Sequence, residues 1–167
     1  MNTKEAILVV CFFSLLIVVP VFSLQFVSSH SNNAAGKITI ADDNGGSVDF
    51  KAVDGKDGQP STGYLRLKSG DGSKETEAEV KYVNVDGDYA WFAGQCTRDS
   101  GGLTGRWFFA AVHDGGTPGK LVDHIWFDWL PDTADAEAVA KSKVENFAKP
   151  SSNKPITTGD IVVTFSD

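Results

Sequence analysis

The sequence predicts an all-β domain: a β-sandwich or partly open barrel of about eight antiparallel strands with one short helix, preceded by an N-terminal transmembrane or signal helix. Three observations carry this. From Lys37 onward, short stretches of alternating apolar residues recur between Gly- and Asp-rich punctuation, the period of half-buried strands. Only Asp135–Phe147 breaks that period. Ala6–Leu24 is an uncharged apolar run long enough to span a bilayer, and no second run of that kind follows.

The chain divides accordingly into residues 1–24, a signal anchor or signal peptide, residues 25–36, a flexible tether rich in Ser and Asn, and residues 37–167, an extracytoplasmic β domain. The length of the apolar run suits a retained anchor. Pro20 near its end and small residues at Val21-Phe22-Ser23 or Val27-Ser28-Ser29 suit a cleaved signal. Both readings stay open: a single-pass protein with its N-terminus inside, or a secreted one. Lys4 before the run, and the absence of Lys and Arg from Leu24 to Gly36, orient the body outward in either case. Cys11 lacks the preceding small residue of a lipoprotein signal and reads as an apolar residue of the run.

Strands are expected near Ile38–Ala41, Val48–Val53, Gly63–Lys68, Glu77–Val85, Tyr89–Cys96, Arg106–Asp114, His124–Leu130 and Asp160–Phe165. Asp86-Gly87 between two alternating runs predicts a hairpin with a type I′ turn. Glu75, Glu77 and Glu79 share one face of their strand and read as a solvated edge. The four tryptophans, Trp91, Trp107, Trp126 and Trp129, fall in three neighbouring strands whose two faces are both apolar, as in strands covered on both sides. Most of these rings are core; Trp126 is the candidate for an exposed stacking platform. In Asp135–Phe147, Ala136, Ala140, Val144 and Phe147 lie on one helical face, with Asp132, Thr133 or Asp135 as N-cap. Pro150 and Pro155 then lead to the last strand in extended conformation.

Composition narrows the function. The net charge of −7 belongs to the body, since Lys4 and Glu5 cancel, and this disfavours nucleic acid and anionic surfaces as partners. Cys96 is the only cysteine after the leader, so no disulfide within the body is available. No Gly-rich phosphate loop sits at a strand-to-helix junction. Asp99-Ser100-Gly101-Gly102 lacks the strand-to-helix elbow of a nucleophilic serine, and Cys96 on an aromatic strand reads as a small core residue. The Asp-Gly pairs at 54–55, 57–58 and 71–72 lack the ligand spacing of a calcium loop and read as turns.

The stretch Val112-His113-Asp114-Gly115-Gly116-Thr117-Pro118-Gly119-Lys120-Leu121-Val122-Asp123-His124-Ile125 joins two aromatic strands, with Pro118-Gly119 suited to a type II turn. It resembles the post-COAP-1 domain of secreted bacterial proteins, whose run is Val-x-Asp-Asn-Gly-Glu-Pro-Gly followed by an Asp and an apolar strand. The resemblance extends back to Val85-Asp86-Gly87-Asp88 and Ala93-Gly94. It extends forward to Thr158-Gly159-Asp160-Ile161, where the family has Gly-Gly-Asn-Ile. The helical segment departs from the family. What the resemblance implies is an extracytoplasmic β domain with no known catalytic set.

Read from its residues, the same loop offers one constellation. A register placing Val112 opposite Ile125 sets His113 against His124, with Asp114 and Asp123 closing the loop. Two imidazoles and two carboxylates suit zinc or another divalent ion; alternatively the two Asp serve loop backbone and no metal is held. The functional expectation is a non-enzymatic extracytoplasmic binding, interaction or structural module without a cofactor. Its partners would be the membrane, through an uncleaved N-terminal helix, and a protein or glycan of the cell envelope. The alternatives are a carbohydrate-binding domain using Trp126, with Asp114 and Asp123 nearby, and a metal-dependent hydrolase centred on His113 and His124.

Overall fold

A computed structural model describes residues 31–40, 45–56, 58–116, 123–151 and 153–165. The apolar run Ala6–Leu24, the first part of the tether and the Pro118-Gly119 turn lie outside the described residues. The strands are β1 (Asn33–Ile40), β2 (Ser47–Val53), β3 (Thr62–Lys68), β4 (Glu75–Asp86), β5 (Tyr89–Asp99), β6 (Trp107–His113), β7 (His124–Trp129) and β8 (Asn153–Thr164), with α1 (Ala136–Glu145) between β7 and β8.

Each strand pairs antiparallel with the next, and β8 returns to β1. This makes an up-and-down barrel and rules out the sandwich. A nearly closed ring leaves unpaired edge only along the β7–β8 seam, so the Glu75, Glu77 and Glu79 row is not an edge. β4 is paired on both sides. Those glutamates point outward into ion pairs, Glu77 with Arg98 at 3.0 Å and with Arg66 at 3.5 Å, exposed contacts that contribute little stability. The ring is unevenly closed: β1 and β8 share eight residue pairs, β7 and β8 only three.

The hairpin between β4 and β5 is present, with a different turn. Asp86 pairs with Tyr89, so the central residues are Gly87 and Asp88, and only Gly87 has positive φ, at 56°. That is the pattern of type II′, with Gly at the first central position, and not type I′, which requires positive φ at both. Two other boundaries differ. β1 takes in Asn33–Gly36, the last part of the expected tether, because those residues pair with both Phe50–Val53 and Ile161–Thr164. β8 begins at Asn153 and not near Asp160: Pro155, which has no N–H to donate, falls where β8 is paired with β7 alone.

Alternation sorts each strand into an inner and an outer row. Inside, Phe50 stacks on Phe92 at 5.2 Å, Phe108 meets Phe92 edge-on, and Ile38, Leu65, Val80, Ile125 and Ile161 complete a buried core. Gly94 is required in this row, because a Cβ there would run into the Glu79 carbonyl oxygen where β4 bulges against β5. Charged residues such as Lys51, Arg66 and Glu79 stand outside, the reverse of a lipid-spanning barrel. A second cluster covers the outer face of β5 and β6, where Ala136, Ala140 and Val144 of α1 pack on Ala93, Trp107 and Phe109. The apolarity of both faces of these strands is explained by core on one side and helix on the other. Phe147 does not continue the helix face. It follows the helix end at φ 52°, is 46% exposed, and sets its ring edge-on to Trp91 at 4.9 Å. Asp135 occupies the N-cap position without a side-chain capping bond.

Candidate functional site

The register of β6 and β7 is the expected one: Val112 faces Ile125, and His113 faces His124. The two imidazoles stack with centroids 6.2 Å apart. The carboxylates are committed elsewhere. Asp114 accepts the Gly116 N–H at 2.7 Å and the Val163 N–H at 3.0 Å, one on each oxygen. Asp123 accepts the Gly115 N–H at 2.9 Å and the Ile161 N–H at 2.8 Å, again one on each oxygen. Both side chains therefore bind their own loop with one oxygen and β8 with the other. They extend the closure of the barrel beyond the three residue pairs through which β7 reaches β8. Among the described residues no group of three or more His, Cys, Asp and Glu side chains is placed to hold a metal ion.

The outer aromatic rows of β5, β6 and β7 form a continuous ladder. Trp91 stacks on Tyr89, Tyr89 on His113 at 4.3 Å, His113 on His124, and His124 on Trp126 at 5.3 Å. The chain leaving α1 crosses this ladder, with Phe147 on Trp91 and the Lys149 ammonium 4.6 Å from the centre of the Trp126 ring. Ser151 fixes the crossing by donating its N–H and hydroxyl to Asp128, both at 2.8 Å. Trp126 is consequently only 9% exposed and offers no open stacking face; Tyr89 and Phe147 are the exposed rings of this surface.

A different place has the shape of a binding site. At the end of the barrel where β1, β3 and β7 finish, a cavity of about 470 Å³ opens between the strands. Its walls are Ile40, Val48, Leu67, Ile125, Phe127 and Trp129, and its polar boundary includes Lys68, Ser69, Lys74 and Lys154. Eight strands leave an interior that side chains fill or that holds one small ligand, and this volume lies within the ~300–1,000 Å³ of small-molecule sites. Lys154 is placed by register: it pairs with Ile125, whose side chain is inward, so Lys154 also belongs to the inner row. Part of the rim is built by Asp71, which accepts the Ser69 hydroxyl at 2.6 Å, the Ser73 N–H at 2.9 Å and the Ser73 hydroxyl at 2.8 Å. Those bonds, the Ser69 hydroxyl first, bring its pKa down to about 2. Sequence reasoning missed this mouth. The available signal was the apolar alternation Ile125, Phe127, Trp129 facing a void, legible only once the strands were known to close into a ring.

The remaining candidates for chemistry have structural partners. Cys96 is buried, and burial pushes its thiol pKa up, away from the reactive thiolate. Burial also raises the Asp99 carboxyl, but bonds from the Thr76 hydroxyl and the Leu103 and Gly101 N–H groups outweigh it and hold the pKa below the ordinary range. Asp99 thereby organises the β5–β6 loop, in which the Ser100 hydroxyl accepts the Glu75 N–H at 3.2 Å. No protein-family model, curated protein or solved structure matches this chain.

Proposed function

We propose that this chain is a non-enzymatic extracytoplasmic binding domain, tethered by its N-terminal apolar segment or secreted, whose ligand enters the barrel mouth. The observation that carries the reading is the apolar cavity of about 470 Å³ at one end of the barrel. A cleft of that size with apolar walls and a few polar groups at its boundary is the usual form of a small-molecule site. The uncharged apolar run Ala6–Leu24 after Lys4, with no Lys or Arg from Leu24 to Gly36, supports the extracytoplasmic part of the proposal. The use of Asp114 and Asp123 as backbone acceptors favours it over a hydrolase centred on His113 and His124. The covering of Trp126 by Lys149 favours it over a sugar platform at that ring.

Methyl NMR of the full chain titrated with decanol tests the proposal. Saturable shifts confined to the methyls of Ile40, Leu67 and Ile125, with Val144 under the helix unmoved, are expected. Absence of saturation, or shifts spread evenly over both clusters, would overturn it.

A further inference from the structure

The two ends of the barrel differ in outer surface, and the difference specifies a partner, an inference that rests on the tethered form of the reading above. We propose that the end opposite the mouth docks on a zwitterionic bilayer surface, that of the membrane spanned by residues 6–24, so that the mouth faces away from it.

Strand directions define the two ends. β1 runs from Asn33 to Ile40 at the mouth, eight residues or about 27 Å along the strand. β8 finishes at the Asn33 end, where Thr164 pairs with Asn33, and β4 and β6 finish there too, with Asp86 and His113 both opposite Tyr89. Among the described residues the exposed large apolar side chains are Tyr89, Val139, Phe147, Val162 and Phe165. All but Val139, which lies on α1, belong to the Asn33 end. Tyr89 opens β5, Val162 pairs with Ala35, Phe165 follows Thr164, and Phe147 sets its ring against Trp91, two residues into β5. The turns of the mouth end, residues 69–74 and 99–105, contribute none. Apolar residues scattered singly over a surface are ordinary, whereas these gather at one end. Tyr89 and Val162 stand on β5 and β8, three strands apart in the ring, so the group is a girdle around that end. Tyr and Trp rings are the side chains that favour the headgroup level of a bilayer.

The tether identifies the occupant. Asn32 is already fixed to the barrel, its carbonyl accepting the Asp54 N–H at 2.9 Å, so only residues 25–31 separate the body from Leu24. Seven residues span roughly 25 Å at full extension, which holds the girdle end within that distance of the bilayer. A link this short gives an effective concentration in the millimolar range, so even a weak interfacial contact is populated. Charge selects the lipid. The chain carries −7, and Asp86 and Asp88 are exposed at the tip of the β4–β5 hairpin on the docking end, so anionic headgroups are not attracted and a zwitterionic surface is the one this end fits.

The test places the full chain, inserted through its apolar segment, in phosphatidylcholine nanodiscs containing a lipid with a gadolinium-chelate headgroup, and reads methyl NMR. The signals of Val53 and Val85, at the girdle end, are expected to lose their intensity while those of Ile40 and Leu67, at the mouth, keep theirs. Val162→Thr combined with Phe165→Ser, substitutions at side chains 50% and 43% exposed, is expected to return the Val53 and Val85 signals. Val139→Thr, on the helix, is expected to leave them lost. Mixing in phosphatidylglycerol is expected to weaken the loss. Equal intensities at the two ends, a greater loss at Ile40 and Leu67, a loss unchanged by the double variant or one deepened by phosphatidylglycerol would overturn the docking. Loss at Val53 and Val85 that appears without gadolinium once two chains share a disc would assign the girdle to contact between copies of this chain, and overturn it equally. A chain that does not stay with the disc would remove the tethered reading and the docking with it, and would leave the ligand of the mouth to its own titration.

Discussion

The Asp123 carboxylate accepts the backbone N–H of Ile161 at 2.8 Å, across 38 residues of chain. With the matching bond from the Val163 N–H to Asp114, it supplies on the β8 side what further strand pairing with β7 would otherwise supply. A barrel is stable only if its last strand finds the first and its neighbours in one register, and here two side chains finish that closure.

Removing these acceptors is therefore costly. Ile161 is 1% exposed, so Asp123→Ala strands a buried donor as well as losing the Gly115 bond, and a loss of about 1–3 kcal/mol is expected by urea denaturation. Asp114→Ala is expected to fall in the same range. His124→Ala, which loses only outer-face stacking, is expected to cost less than either. An Asp123→Ala variant as stable as the parent would show that the seam closes without the carboxylate.

Gly87 tests the positive φ at the first central position of the turn by backbone conformation alone, because a Cβ there would meet nothing within 4 Å. Gly87→Val is expected to cost roughly 1 kcal/mol or more in thermal or chemical unfolding, since a β-branched residue resists positive φ. Unchanged stability would contradict the positive φ at Gly87.

The Asp71 turn gives a pH signature. Its pKa is about 2 in the folded chain against an ordinary 3.8, so its stabilising contribution is complete above about pH 4. Between about 4 and 2 the unfolded chain takes up a proton that the folded chain refuses, and the contribution is lost as pH falls through the folded value. The Tm difference between parent and Asp71→Asn is expected to be largest above pH 4 and to shrink towards pH 2. A difference independent of pH over that range would mean that the serine donors do not hold the carboxylate.

Much of this architecture was legible in the sequence, for reasons that the residues show. Period-two alternation places Val48, Phe50 and Ala52 on one face whichever β architecture forms, so strand positions were readable while sandwich and barrel were not distinguished. That choice depends on β8 meeting β1, a contact between the two ends of the domain that no local pattern announces. The facing of His113 and His124 was readable because a hairpin register is local. The destination of the Asp114 and Asp123 carboxylates was open between metal and backbone until β8 was seen beside them. The mouth was invisible for the same long-range reason: Leu67 and Ile125 lie far apart in the chain and face each other only across the closed ring.

The central claim, that ligand sits in the barrel mouth, is tested most directly by the crystal structure of the chain with 10-bromodecanol, whose bromine is located by anomalous scattering. The account predicts one bromine site among Leu67, Phe127 and Trp129. Bromine over the outer ladder of Trp91, Tyr89 and Trp126, or none in the mouth at saturating probe, would contradict it.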